Sequence, residues 1–176
     1  MPNILTNLAV SFKDAVTDVG TVLLYPLGTL REENGKRYRY VTVNDATVAA
    51  AAGKVALTVG TTPHNVCCDV SDTDAGLVAG VFVSVIANGG YGWILVEGYY
   101  AGVSKMAHAW VKGDAIFAAT SSTSDGKAFN WKFIAASTTN TITAARFKLA
   151  RGFLGNAAAA VSSTTATGGV YVRVGG

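Results

Sequence analysis

Hydrophobic and polar positions along this chain alternate in short steps, and the steps are those of β-structure. After an irregular start, GTVLLYPLGTLR (20–31) reads as an apolar strand. Pro26 confines it to an edge or a bend, because proline has no N–H to give a ladder. In LREENGKRYRYVTV, Asn34-Gly35 is the strongest local signal for a two-residue hairpin turn. The strand beyond it alternates Arg37, Arg39, Val41 and Val43 with Tyr38, Tyr40 and Thr42. The alanine-rich ATVAAAAG predicts a helical turn stopped by Gly53; Thr61-Thr62-Pro63 predicts a turn, and VCCDV a short strand. LVAGVFVSVIANGGYGWILVEGYYAGVS (77–104) predicts two long strands joined at Asn88-Gly89-Gly90. Both runs are almost continuously apolar, so this hairpin is expected at the centre, buried on both faces.

The later part of the chain continues the pattern. VKGDAIFAA enters a strand from a Gly113-Asp114 turn, and KAFNWKFIA sets Phe129, Trp131 and Phe133 on one side of another. TITAARFKLARGFLG predicts a further strand, followed by the low-complexity NAAAAVSSTTATGG. GVYVRVGG ends the chain as an alternating strand with Val170, Val172 and Val174 inward. Many short strands, regular turn signals and little helix predict one all-β domain, a barrel or sandwich-like unit over residues 21–176.

Residues 1–20 are read as an N-terminal arm. Leu8, Phe12, Val16 and Val19 fall at helical spacing, but β-branched residues and missing caps allow only a short helix, and an extended arm fits as well. Ile4, Leu5, Leu8, Val10 and Phe12 are too many large apolar groups for a solvated tail. They are the candidate partner-contacting residues, ordered either by docking on a neighbouring molecule or by packing back on the domain.

Composition sharpens this picture. Half of the 176 residues are hydrophobic and 14% are charged, against roughly 25% in an ordinary soluble domain. A surface so poor in charge points to cover by a partner, or to a robust extracellular β protein. The net charge of +3 is uneven: residues 126–176 carry six bases and no acid. Those bases are dispersed along strands, which fits solvated strand edges, or a contact with an acidic protein surface, better than a nucleic-acid footprint. No apolar run reaches the roughly 18–20 residues that span a bilayer, and the first residues lack the features of a secretory signal, so a soluble protein made in a cytoplasm is expected. Cys67 and Cys68 are adjacent and are read as buried small hydrophobes, not as a disulfide or a metal pair.

The search for chemistry nominates no catalytic, cofactor-binding or metal-binding residue. His64 and His108 lie far apart in sequence and belong to no metal or nucleophile motif. Glu97 is the one acid in the central hairpin. A glycosidase needs a second carboxylate within about 5–10 Å, for which Asp69 and Asp114 are unspecific candidates. Asp72 and Asp74 fit turn chemistry better than a calcium loop. Tyr91, Trp93, Tyr99, Tyr100 and Trp110 fit core packing, with sugar stacking as the alternative.

The order of these segments, PLGTLREENGKRYRYV, VIANGGYGWILVEGYYAGV, VKGDAIFAA and LARGFLGNAAAA…GGVYVRV, resembles that of the tailed-bacteriophage capsid decoration, or cement, proteins. The likeness runs from about Pro26 to Val174 and is weakest over residues 121–145. It implies a β-barrel-like virion protein on the capsid exterior that is often a homotrimer and clamps neighbouring subunits of the major capsid protein. Enzymatic activity, cofactor, nucleic acid and membrane have no place in that reading. The alternative is a carbohydrate-binding or adhesion module of a phage tail or cell surface, with Trp93, Tyr99 and Tyr100 as its stacking platform.

Overall fold

The computed structural model describes residues 12, 14–45, 49–69, 75–118, 125–130 and 153–174. Among them there is no helix, and ten strands form the fold. The Asn34-Gly35 turn forms as the sequence predicts. Asn34 has φ 52° and Gly35 φ 70°, the left-handed pair whose twist matches two antiparallel strands. It joins β1 (Leu30–Glu33) to β2 (Lys36–Val43). β3 (Val55–Val59) and β4 (Thr62–Cys67) form the next hairpin, followed by β5 (Ala75–Phe82) and the 14-residue β6 (Tyr91–Ser104). β7 (Ala115–Ala118), β8 (Ala128–Asn130), β9 (Phe153–Ala157) and β10 (Thr167–Arg173) complete the set.

Strands β2, β4, β3, β5 and β6 are hydrogen-bonded in that order, and β6 pairs again with β2. The result is a closed five-stranded barrel, antiparallel except for the parallel β2–β4 pair. The fold is all-β and barrel-like, as its pattern indicates. β6 outruns the barrel: beyond Glu97 it pairs with β10, which carries β9, β7 and β8 in a second sheet. A single parallel bridge from Lys105 to Ala128 brings β8 back beside the end of β6.

Over Val55–Leu57, Val78–Phe82 and Trp93–Val96 the barrel strands bury both faces, which explains the apolar runs there. Tyr38, Tyr40, Trp93 and Leu95 enter one cluster, and Val41, Val43, Ile94 and Val96 enter the other. The first cluster continues into Ile116, Leu154, Val170 and Val172 of the second sheet, so the two sheets share one core. Val170 and Val172 face inward as expected, and the half-buried Val174 packs on the same cluster.

Three local expectations are corrected. Residues 21–29 form no strand; they run in turns and bends as a strap between the Gly20–Tyr91 bridge and the hydrogen bonds of Gly28 and Thr29 with Tyr40. The turn after β3 comes at Gly60-Thr61, and Pro63 lies inside β4. Gly60 supplies the left-handed φ of 58°, and Pro63 falls where the β3–β4 register slips between Thr58 and Val59, so its missing N–H interrupts no regular ladder. Ala50 to Gly53 form no helical turn. Ala50 bridges Ile86, Gly53 N–H donates to Phe82 O, and Gly53 O accepts from Ser104 N. Trp131, Phe133, Asp72 and Asp74 lie outside the described residues.

Candidate docking surfaces

The strap is held by an aromatic and ionic knot. Asp14 accepts hydrogen bonds from the Tyr25 hydroxyl and from Trp93 Nε1 (3.1 Å). Arg31 Nη1 donates to the Asp14 carbonyl (2.7 Å), and its guanidinium lies 5.0 Å from the Phe12 ring centre. Phe12 meets Tyr25 and Trp93 edge-on at 5.2 and 5.4 Å. Partial burial would raise the Asp14 pKa, but the bonds from Tyr25 and Trp93, with the Arg31 charge, hold it below the usual carboxylate value. At the other pin, Gly20 exchanges two backbone hydrogen bonds with Tyr91 (3.1 and 2.8 Å). Beside that pin, Val19, Val22, Leu23 and Leu24 are 49, 67, 51 and 61% exposed. The fold fixes their backbone and leaves their side chains in water.

The outer face of the second sheet is the other candidate. Its inner face carries Val170, Val172, Leu154, Ile116 and Ala118 into the core. Alternation therefore turns Tyr99, Tyr171, Phe153 and Arg173 outward, and all four are exposed. The register sets Tyr99 opposite Tyr171 and Glu97 opposite Arg173. The tyrosine rings are 5.4 Å apart and inclined at 49°, with Tyr99 lying across Gly169, where a Cβ would come 2.9 Å from its hydroxyl. At the sheet end, Arg37 pairs with Glu97 (3.2 Å) and Glu32 (2.9 Å), beside a shallow hollow of ≈ 320 Å³ under the Asn34-Gly35 turn.

The residues singled out from sequence are distributed as follows. Phe12 packs on its own domain, while Ile4, Leu5, Leu8 and Val10 lie outside the described residues. Trp93 is fully buried, so the triplet Trp93, Tyr99 and Tyr100 does not make a surface platform. Tyr100 is half-buried with its side chain bonded to the Gly53 backbone, and Trp110 is core. The exposed partner of Tyr99 is Tyr171, which sequence reasoning did not nominate. Its signal was present in VYVRV, since burying Val170 and Val172 turns Tyr171 and Arg173 out.

Glu97 lies on the exposed face and Asp114 caps the Val111 N–H (2.7 Å). The buried Asp45 carboxylate accepts from the N–H groups of Cys68 and Asp69 (3.0 and 3.1 Å). Lys105 is buried and donates to the carbonyls of Met106 and His108 (3.1 and 2.7 Å); burial lowers its pKa. Cys67 and Cys68 are buried thiols not joined in a disulfide, and burial pushes the Cys68 pKa up to about 12, with Lys54 opposing. Among the described residues no group of three or more His, Cys, Asp or Glu is placed to hold a metal ion, and no helix is long and apolar enough to cross a membrane. Compared with known proteins, the chain matches no family model, no curated protein and no solved structure.

Proposed function

We propose that this chain is a structural virion protein that binds the outer surface of an assembled phage head and cements neighbouring subunits of the major capsid protein. The observation that carries the reading is the strap. Its aliphatic side chains Val22, Leu23 and Leu24, with Val19 just before the Gly20 pin, stand exposed on a backbone already fixed at both ends. Full burial of such side chains is worth about 1.5–3 kcal/mol each, and a fixed backbone loses little entropy on docking. A preformed apolar ridge suits contact with a large, rigid protein surface. The segment order from Pro26 onward resembles that of decoration proteins and supplies the identity of that surface.

Proteomics of particles purified from the source of this chain tests the class. The expected result is co-purification with a major capsid protein near stoichiometric copy number. With such particles in hand, Val22→Asp combined with Leu24→Asp is expected to weaken head binding at least tenfold. Both side chains are exposed, so the melting temperature should stay within a few degrees. Unchanged binding by that variant would remove the strap from the interface.

A second reading, a carbohydrate-binding or adhesion module, is favoured by the exposed Tyr99–Tyr171 pair, with the two tyrosines replacing the buried Trp93. Glycan-array binding lost on Tyr171→Ala in a folded protein would support it.

A further inference from the structure

On the outer face of the second sheet, two adjacent antiparallel strands repeat a simple rule: like faces like for the aromatics, and acid faces base for the charges. Tyr99 stands opposite Tyr171, and two positions along the ladder Glu97 stands opposite Arg173. We infer that this face docks a second copy of the chain, about a twofold axis running parallel to the strands between β6 and β10. That operation lays β6 of one copy over β10 of the other. Tyr99 then meets the partner's Tyr171, Glu97 meets the partner's Arg173, and each contact occurs twice, as an isologous interface requires.

The charges select this axis. A twofold axis across the strands would set Glu97 and Arg173 over the partner's Ala101 and Gly169. Arg173 would then lose water without gaining a counter-charge, and Glu97 would keep only its own Arg37. The axis along the strands gives each ion its opposite. Ala101 adds little bulk beside the tyrosines, and Tyr99 lies down across Gly169 close to its own sheet, so two sheets can approach to the usual spacing of about 10 Å. Tyrosine supplies large contact area with few rotatable bonds, which is why it is enriched where proteins meet. A glycan fits less well. The rings are inclined at 49° and do not form one flat platform. The nearest amide on the face, Asn156 in β9, already donates to the Gly113 carbonyl (3.2 Å).

The patch is built from a few side chains on two strands, so the interface belongs at the small end of specific contacts, under about 1,200 Å² in total. Association should therefore depend on concentration. It is independent of the shell-binding reading, which rests on the strap. Loss of self-association with retained head binding would separate the two.

The test is sedimentation of the full chain from micromolar to several hundred micromolar. The expected mass rises from 18.1 kDa toward twice that value. Tyr171→Ala, at an exposed side chain, should weaken the association at least tenfold. Arg173→Glu and Glu97→Arg should each remain monomeric, because each sets like charges face to face. Their equimolar mixture should dimerise again, since every cross-pair in the mixed dimer is then acid to base. A parent that stays at 18.1 kDa throughout would overturn the inference. So would a trimer indifferent to Tyr171→Ala, or a monomer that binds glycans through the tyrosine pair.

Discussion

One carboxylate does much to decide whether the strap lies on the barrel. Asp14 holds Tyr25, Trp93 and, through its carbonyl, Arg31. Its pKa is depressed in the folded protein. A depressed carboxylate contributes stability that is fully present above its unfolded value, near 3.9, and that is lost as pH falls through the folded one. Thermal melts of the parent and of Asp14→Asn should therefore differ near neutrality and begin to converge only as pH falls below about 4, through the depressed Asp14 pKa. A difference on the order of 1 kcal/mol is expected at pH 7, with a change in Trp93 fluorescence. The Cys68 thiol behaves in the opposite sense. Its pKa of about 12 leaves almost no thiolate at pH 8, and thiolate is the reactive form. Native protein should resist alkylation at Cys68 at pH 8, and labelling should appear only with unfolding. The burial of both cysteines was legible in the sequence because adjacency and an apolar context are local facts. The Asp14 knot was not: its partners Tyr25, Arg31 and Trp93 reach it only through the folded barrel.

At the scale of elements, local chemistry and long-range packing divide what could be read. The β1–β2 hairpin was legible because Asn34-Gly35 sets its own backbone. β6 was legible as central from its long apolar run, but burial on both faces holds only from Gly92 to Val96; beyond them Glu97, Tyr99 and Ala101 are exposed. The strap was misread because GTVLLYPLG has the composition of a strand, and composition does not reveal that neighbours pair with it only at its ends, Gly20 with Tyr91 and Gly28 with Tyr40. β6 itself holds a point of strain. Gly98 has φ 118°, and a Cβ there would lie 2.9 Å from Lys36 Cγ. Side chains avoid that backbone region, at a cost of about 1–3 kcal/mol. Gly98→Ala should lower the melting temperature by roughly 4–8 °C, taking about 2 kcal/mol for a domain of this size. Deleting residues 1–11 spares the knot and should move the melting temperature by no more than a few degrees. Deleting residues 1–19 strips Phe12 and Asp14 from Trp93 and should cost several degrees more. On the shell-binding reading Ile4, Leu5, Leu8 and Val10 contact a neighbour, so the shorter deletion should already weaken head binding.

At the scale of the whole molecule, one strand belongs to two structures. All five barrel strands lie between Lys36 and Ser104, whereas the partners of the far half of β6 end at Arg173. A chain made from its N-terminus can therefore close the barrel while its last third is still being synthesised. Until β10 arrives, Glu97 to Ser104 stand as a bare edge rich in tyrosine and glycine. Growing chains crowded on one message would hold such edges close together, and an unpaired edge is a template for the wrong neighbour. Translation speed between Ser104 and Thr167 thus becomes a quantity that the architecture makes matter, and slow codons there would prolong the exposure.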